Sequence, residues 1–168
     1  MNTFQRSVLA LSLAGATVLA GCANSPAALN LSTTDVVMRG ASPSAAVALT
    51  VNPPQVRVGE TIGLQLGSAK AGYLYVYQVG TDGKTLSVVF PNAIDGANYL
   101  PGGGVAATLP RANWKLTSKG PAGVGYFLAV VADKPQDLGK IGSELAAGRI
   151  TIEGPYGAAM ATLREVAP

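Results

Sequence analysis

Apolar and polar positions alternate most regularly over Gly72–Val79. Tyr73, Tyr75 and Tyr77 fall on one face of an extended chain there, and Leu74, Val76 and Gln78 on the other. Thr81-Asp82-Gly83-Lys84 follows, with Asp-Gly suited to positive φ, and Leu86–Phe90 returns before Pro91-Asn92 ends the run. Residues 72–91 are therefore predicted to form a β-hairpin central to the fold. Upstream, residues 46–51 read as a first strand broken by Asn52-Pro53-Pro54. Residues 55–58 form a short extended piece, and 61–66 a strand with Ile62, Leu64 and Leu66 on one face.

Downstream, 93–104 is loop-like, 105–109 a short strand and 114–117 another. Residues 124–132 are a nearly continuous apolar run bounded by turns, which indicates a strand buried on both faces. Leu138, Ile141 and Leu145 recur at helical spacing, so 136–147 is predicted to be a helix that starts near Asp133 and Asp137 and is capped by Gly148. Residues 149–152 and 158–166 read as a closing pair around Gly154-Pro155-Tyr156-Gly157. The sum is about eight or nine short strands and one short helix, an all-β antiparallel sandwich.

The first 45 residues follow no such pattern. Arg6 is the only charge before Cys22, and residues 8–19 are almost wholly apolar or small. That run is shorter than the roughly 20 residues that span a bilayer core, and it exits through small residues, as secretory signals do. Leu19-Ala20-Gly21-Cys22 resembles the cleavage box of bacterial lipoproteins, and all four positions match. The resemblance implies removal of residues 1–21, a diacylglycerol on the Cys22 thiol and a further acyl chain, such as palmitate, on the new amine. Each buried methylene adds about 0.8 kcal/mol, so two or three chains anchor stably. Ala23 follows, where Asp retains enterobacterial lipoproteins in the inner membrane; Ala thus implies transfer to the outer membrane, and the domain is expected to face the periplasm. Residues 22–45, rich in Ser, Thr, Gly and Pro, are expected to be a flexible tether, and 46–168 the β-sandwich domain.

Composition narrows the chemistry. With the signal removed, 147 of the 168 residues remain, enough for one core, with a small positive excess spread along the chain. That balance argues against a nucleic-acid partner. The chain has no histidine, and its only cysteine is Cys22. The usual zinc ligands and the Ser-His-Asp and Cys-His nucleophile systems are therefore missing, and no metal, cofactor or enzymatic activity is expected. Asp82, Asp95, Asp133, Asp137 and Glu153 supply carboxylates, but nothing in their spacing marks the pair a glycosidase needs. Gly102-Gly103-Gly104 lacks the following Lys-Ser/Thr and helix of a phosphate loop, and reads as a turn.

Gly72-Tyr73-Leu74-Tyr75-Val76-Tyr77, then Asp82-Gly83-Lys84, then Val88-Val89-Phe90-Pro91-Asn92 resembles a bacterial domain of unknown function, DUF4384. Asn98, Gly104, Pro110 and the run 123–132 match its later features, so the resemblance covers about residues 46–135. It implies a β-rich accessory domain, found in envelope lipoproteins or as a module attached to other domains, with no known activity. The leading expectation is thus a non-enzymatic, membrane-anchored protein that docks an envelope protein, through exposed sheet edges or the 92–104 loop, in a secretion or assembly system. The alternative is a glycan, peptidoglycan or small-ligand module. Its candidate contacts are Tyr73, Tyr75, Tyr77, Asn92, Tyr99 and Trp114. The tyrosine row reads more readily as half core and half rim, and Trp114 as a lid over the open end of the sandwich.

Overall fold

The apolar run of the sequence is the axis of the fold. The computed structural model describes residues 28–31, 34–39, 47–104, 106–111 and 113–168; the expected signal segment, Cys22 and Val105 lie outside the described residues. The strands are β1 (Ala28–Leu31), β2 (Thr34–Arg39), β3 (Val47–Asn52), β4 (Gln55–Arg57), β5 (Gly63–Ser68), β6 (Gly72–Val79), β7 (Leu86–Phe90), β8 (Tyr99–Leu100), β9 (Ala106–Leu109) and β10 (Gly123–Ala132). The helix α1 (Leu138–Ala146), β11 (Ile150–Thr151) and β12 (Tyr156–Val166) complete the chain. The principal sheet has the order β4-β12-β10-β6-β7, with β8 pairing the start of β6; β3-β5-β9 and β1-β2-β11 form two smaller sheets.

Strand β10 lies between β12 and β6, antiparallel to both. Its alternate residues enter different cores, which is why it has no polar face. Phe127, Ala129 and Val131 join Leu74 and Val76 of β6, Phe90 of β7 and Leu163 of β12 against Val51, Leu64, Leu66 and Leu109 of the β3-β5-β9 sheet. This is the sandwich the alternation predicts. Leu128, Val130 and Ala132 join Tyr75, Tyr77 and Val79 on the opposite face, covered by Ile141 of α1, Ile150 of β11, Ile152 and Tyr156. The helix therefore adds a third layer. Each fully buried large side chain contributes about 1.5–3 kcal/mol by leaving water.

Local chemistry sets the helix ends. The Asp137 carboxylate accepts from the Gly139 and Lys140 amides at 2.8 and 3.2 Å. Gly148, at φ 71°, ends the last turn and donates to the Leu145 carbonyl at 2.9 Å. The helix is shorter than 136–147 because Gln136 is held outside it. The Gln136 amide donates to the Tyr75 hydroxyl at 2.7 Å, and its side chain bonds the Lys134 and Glu153 carbonyls.

Four expectations change. The 72–91 hairpin forms as predicted, but β7 ends the sheet order, so the hairpin is half central and half edge. Residues 114–117 form no strand: a single bridge joins Thr117 to Thr61, and the Leu116 carbonyl accepts from the Ile62 amide at 2.9 Å. The closing segments do not pair with each other. β11 pairs in parallel with β2, while β12 takes β10 on one side and β4, in parallel, on the other. Finally, β1 and β2 pair within residues 22–45, where a tether is expected. Alternation along a strand reports its face but not its partner, and partner choice across long connections is decided by burial.

Two tyrosines on β6 give opposed expectations for hydroxyl removal. The Tyr75 hydroxyl has a partner, whereas the buried Tyr77 hydroxyl has none among the described residues. Tyr75→Phe is expected to destabilise by about 1–3 kcal/mol, because the Gln136 amide loses its acceptor. Tyr77→Phe is expected to leave stability unchanged or raise it by up to about 1 kcal/mol. Urea unfolding of the two variants checks the pair.

Candidate functional site

The tyrosine row is mostly core. Tyr75 is 2% exposed and Tyr77 is fully buried; burial pushes the Tyr77 hydroxyl pKa well above its ordinary value, and the neighbouring Tyr75 adds to the shift. Neither ring can be a stacking surface, so the expectation of a three-tyrosine platform is corrected. The physical reason is the layer of α1, β11, Ile152 and Tyr156, which covers this face of the sheet. Only Tyr73, half-buried, reaches the rim, where its ring meets that of Tyr99 edge-on at 5.3 Å and 67°.

The loop after β7 is held by a small set of polar groups. The Asn92 carboxamide oxygen accepts from the Ile94 and Asp95 amides at 3.0 and 2.9 Å, and its nitrogen donates to the Val89 carbonyl at 3.1 Å. This Asx turn is the reason for an asparagine directly after Phe90-Pro91. Asn98 closes the loop onto β6: its side chain donates to the Leu74 carbonyl at 3.1 Å, and its carbonyl accepts from the Leu74 amide at 2.7 Å. Asn92 is thus a loop-forming residue.

Between them sits Asp95, 8% exposed. One of its oxygens accepts from Arg111 Nε at 2.8 Å and from Trp114 Nε1 at 3.1 Å. Arg111 also donates to the Ala97 carbonyl at 2.6 Å, and its guanidinium carbon stands 5.0 Å from the Phe90 ring centroid. Asn113 adds a bond to the Ile94 carbonyl at 3.3 Å. A buried carboxylate beside a cation, an indole N–H and an aromatic face is a rigid anchor. The sequence does not reveal it, because Asp95, Arg111 and Trp114 are joined by nothing local. The loop leaves two large apolar side chains in water, Ile94 at 63% and Tyr99 at 58% exposure.

Trp114 also borders an open groove of about 520 Å³ between the β6-β7 hairpin and residues 114–120. The groove begins where the inner row of β6, Leu74 and Val76, gives way to Gln78. Ser87, opposite Gln78, continues the polar floor. Glu165, 3% exposed, lies at its base; one of its oxygens accepts from the Ser118 hydroxyl and from the Gly120 amide, the latter at 2.8 Å. At the hairpin tip, Asp82 accepts from the Thr85 hydroxyl and amide at 2.6 and 2.8 Å and from the Lys84 amide at 2.9 Å. Those bonds, the Thr85 hydroxyl first, lower its pKa to about 2. Lys115 and Lys119 line the groove, are exposed, and have no ion-pair partner among the described residues.

The remaining candidates have local explanations. Asp137 caps α1, and Glu153 pairs with Lys140. Gly103 and Gly104 donate to the Ala69 and Ser68 carbonyls at 3.2 and 3.0 Å, so these amides brace the turn rather than facing a ligand. Gly102 has φ 79° and lies where a Cβ would stand 2.3 Å from the Ala71 nitrogen.

Residues 55–135 match the family model of DUF4384, a domain of unknown function. The matched span runs from β4 through β10 and contains the hairpin, the Asp95 loop and most of the groove. No curated protein and no solved structure matches the chain.

Removing the Asp95 carboxylate should strand Arg111 and Trp114 Nε1 together. Asp95→Ala is expected to cost about 1–3 kcal/mol in urea unfolding and to shift Trp114 fluorescence. The Asp82 carboxyl has a lowered pKa in the folded state, so its stabilising effect is complete above the ordinary carboxylate range and is lost as pH falls through about 2. The thermal midpoint should therefore fall on acidification from about pH 4 to pH 2, and Asp82→Asn should flatten that part of the profile.

Proposed function

We propose that this chain is an outer-membrane lipoprotein, held by lipid on Cys22 and facing the periplasm, whose β-sandwich docks another envelope protein without catalysing a reaction. Its role is that of an accessory in a secretion or assembly system. The observation that carries the docking reading is the loop from Asn92 to Tyr99. It sets Ile94 and Tyr99 in water while Asn92, Asp95, Asn98 and Arg111 fix its backbone. A rigid loop presenting an aliphatic and an aromatic side chain loses little entropy on binding, and such residues dominate interface energetics. Lipid on Cys22 would confine the domain to one membrane and raise its effective concentration near partners there. The burial of Tyr75 and Tyr77 weighs against the alternative of a ligand module built on the tyrosine face.

The test is a crosslinked pull-down from native membranes with wild type, Cys22→Ser and the double variant Ile94→Asp/Tyr99→Ser. A defined envelope protein is expected with wild type only, while the double variant keeps its near-ultraviolet circular dichroism. Capture of the same protein at the same level by the double variant would refute docking through this loop.

A further inference from the structure

The groove beside Trp114 has a feature the docking loop lacks. One of its walls is the free edge of the principal sheet. The order ends at β7, and β8 pairs β6 only at Gly72 and Tyr73. The outward edge of Leu86–Phe90 therefore has no strand beside it among the described residues. An unpaired edge offers amides and carbonyls at strand spacing, about 17 Å of it for five residues.

Which groups point outward follows from the hairpin. The Gly80 amide donates to the Thr85 carbonyl at 2.8 Å. In antiparallel alternation the next bonded pair is Gln78–Ser87, so Leu86 and Val88 turn their N–H and C=O away from β6. Val88 borders the groove, as do Ser87 and Val89. The groove and the open edge are thus one surface.

The groups left free in the groove select a class of occupant. Both carboxylates that line the groove keep their charge but already accept from neutral donors of this chain: Asp82 from the Thr85 hydroxyl and amide and the Lys84 backbone amide, and one oxygen of Glu165 from the Ser118 hydroxyl and the Gly120 amide. Lys115 and Lys119 stand on the wall that faces the hairpin with no internal partner among the described residues.

We infer that this groove binds an extended acidic segment of a partner protein, which adds as a strand to the outer edge of β7 and sets its carboxylates against Lys115 and Lys119. Main-chain bonds to Val88 provide the pairing, and the two lysines provide the preference for acidic sequence. This surface is separate from Ile94 and Tyr99, so it stands or falls apart from docking through that loop.

The experiment measures fluorescence anisotropy of labelled six-residue peptides with the full-length protein. The probes are an alternating Val-Glu peptide, its Val-Lys counterpart, and the Val-Glu peptide N-methylated at alternate amides. The Val-Glu peptide is expected to bind, and the other two to bind at least about tenfold more weakly. Lys115→Glu/Lys119→Glu should weaken Val-Glu binding about tenfold, and added salt should do the same to wild type. Ile94→Asp/Tyr99→Ser should leave it unchanged. In an isotope-labelled sample, the Val88 amide resonance should shift on peptide addition. The inference is overturned if Val-Glu peptide fails to bind at about 1 mM, if the Val-Lys or N-methylated peptide binds equally well, or if the lysine variant binds like wild type.

Discussion

The antiparallel ladder between β6 and β10 is the constraint on which the rest of the structure depends. Tyr73 to Val79 lie opposite Ala132 to Tyr126, and every residue of the central part is buried on one face or the other. A slip of one residue would exchange the two faces. Leu74 and Val76 would then point at α1, and Tyr75 and Tyr77 at the β3-β5-β9 sheet. Neither set fits the other space: the tyrosine face is capped by α1 and β11, and the Tyr75 hydroxyl has its acceptor role toward Gln136 there. Two cores of unlike composition on one sheet fix the register in a way that a single core would not.

The polar features sit where that ladder ends. At the β6 start, Asn98 borrows the Leu74 backbone and ties the long loop to the sheet. At the β6 end, Gln78 follows Val76 on the inner face, and β10 brings only Gly125 and Gly123 opposite Leu163 and Glu165. With no side chain from β10, the sandwich opens into the groove, and Glu165 bonds Ser118 and Gly120 beneath it. The groove and the loop share one residue, Trp114, whose indole N–H is fixed by Asp95. Trp114 therefore forms both part of the groove wall and part of the anchor that shapes the loop.

The match to DUF4384 gives these features a common frame. Phe90-Pro91-Asn92, Asn98 and Pro110 all lie within the matched span. Phe90 fills the core and supports the Arg111 guanidinium, Asn92 turns the chain, and Asn98 returns it to β6. Within the matched span, these residues are the frame of the loop that exposes Ile94 and Tyr99.

Local periodicity by itself determined β6, β7, β10 and α1 nearly to the residue, because each has a face pattern or cap that needs no distant partner. Asp82-Gly83 and Asp137 were legible for the same reason: their bonds reach only two or three residues away. Tertiary structure decided everything that depends on who lies opposite. It placed β7 at an edge, sent β11 to β2 and β12 to β10, and decided which tyrosines of the alternating row are core and which reaches the rim. It also joined Asp95 to Arg111 and Trp114 across 16 and 19 residues, and left Lys115 and Lys119 without an ion-pair partner among the described residues. Alternation along a strand records that a face is apolar or polar; only the packed neighbour determines whether that face is closed, open or waiting for another chain.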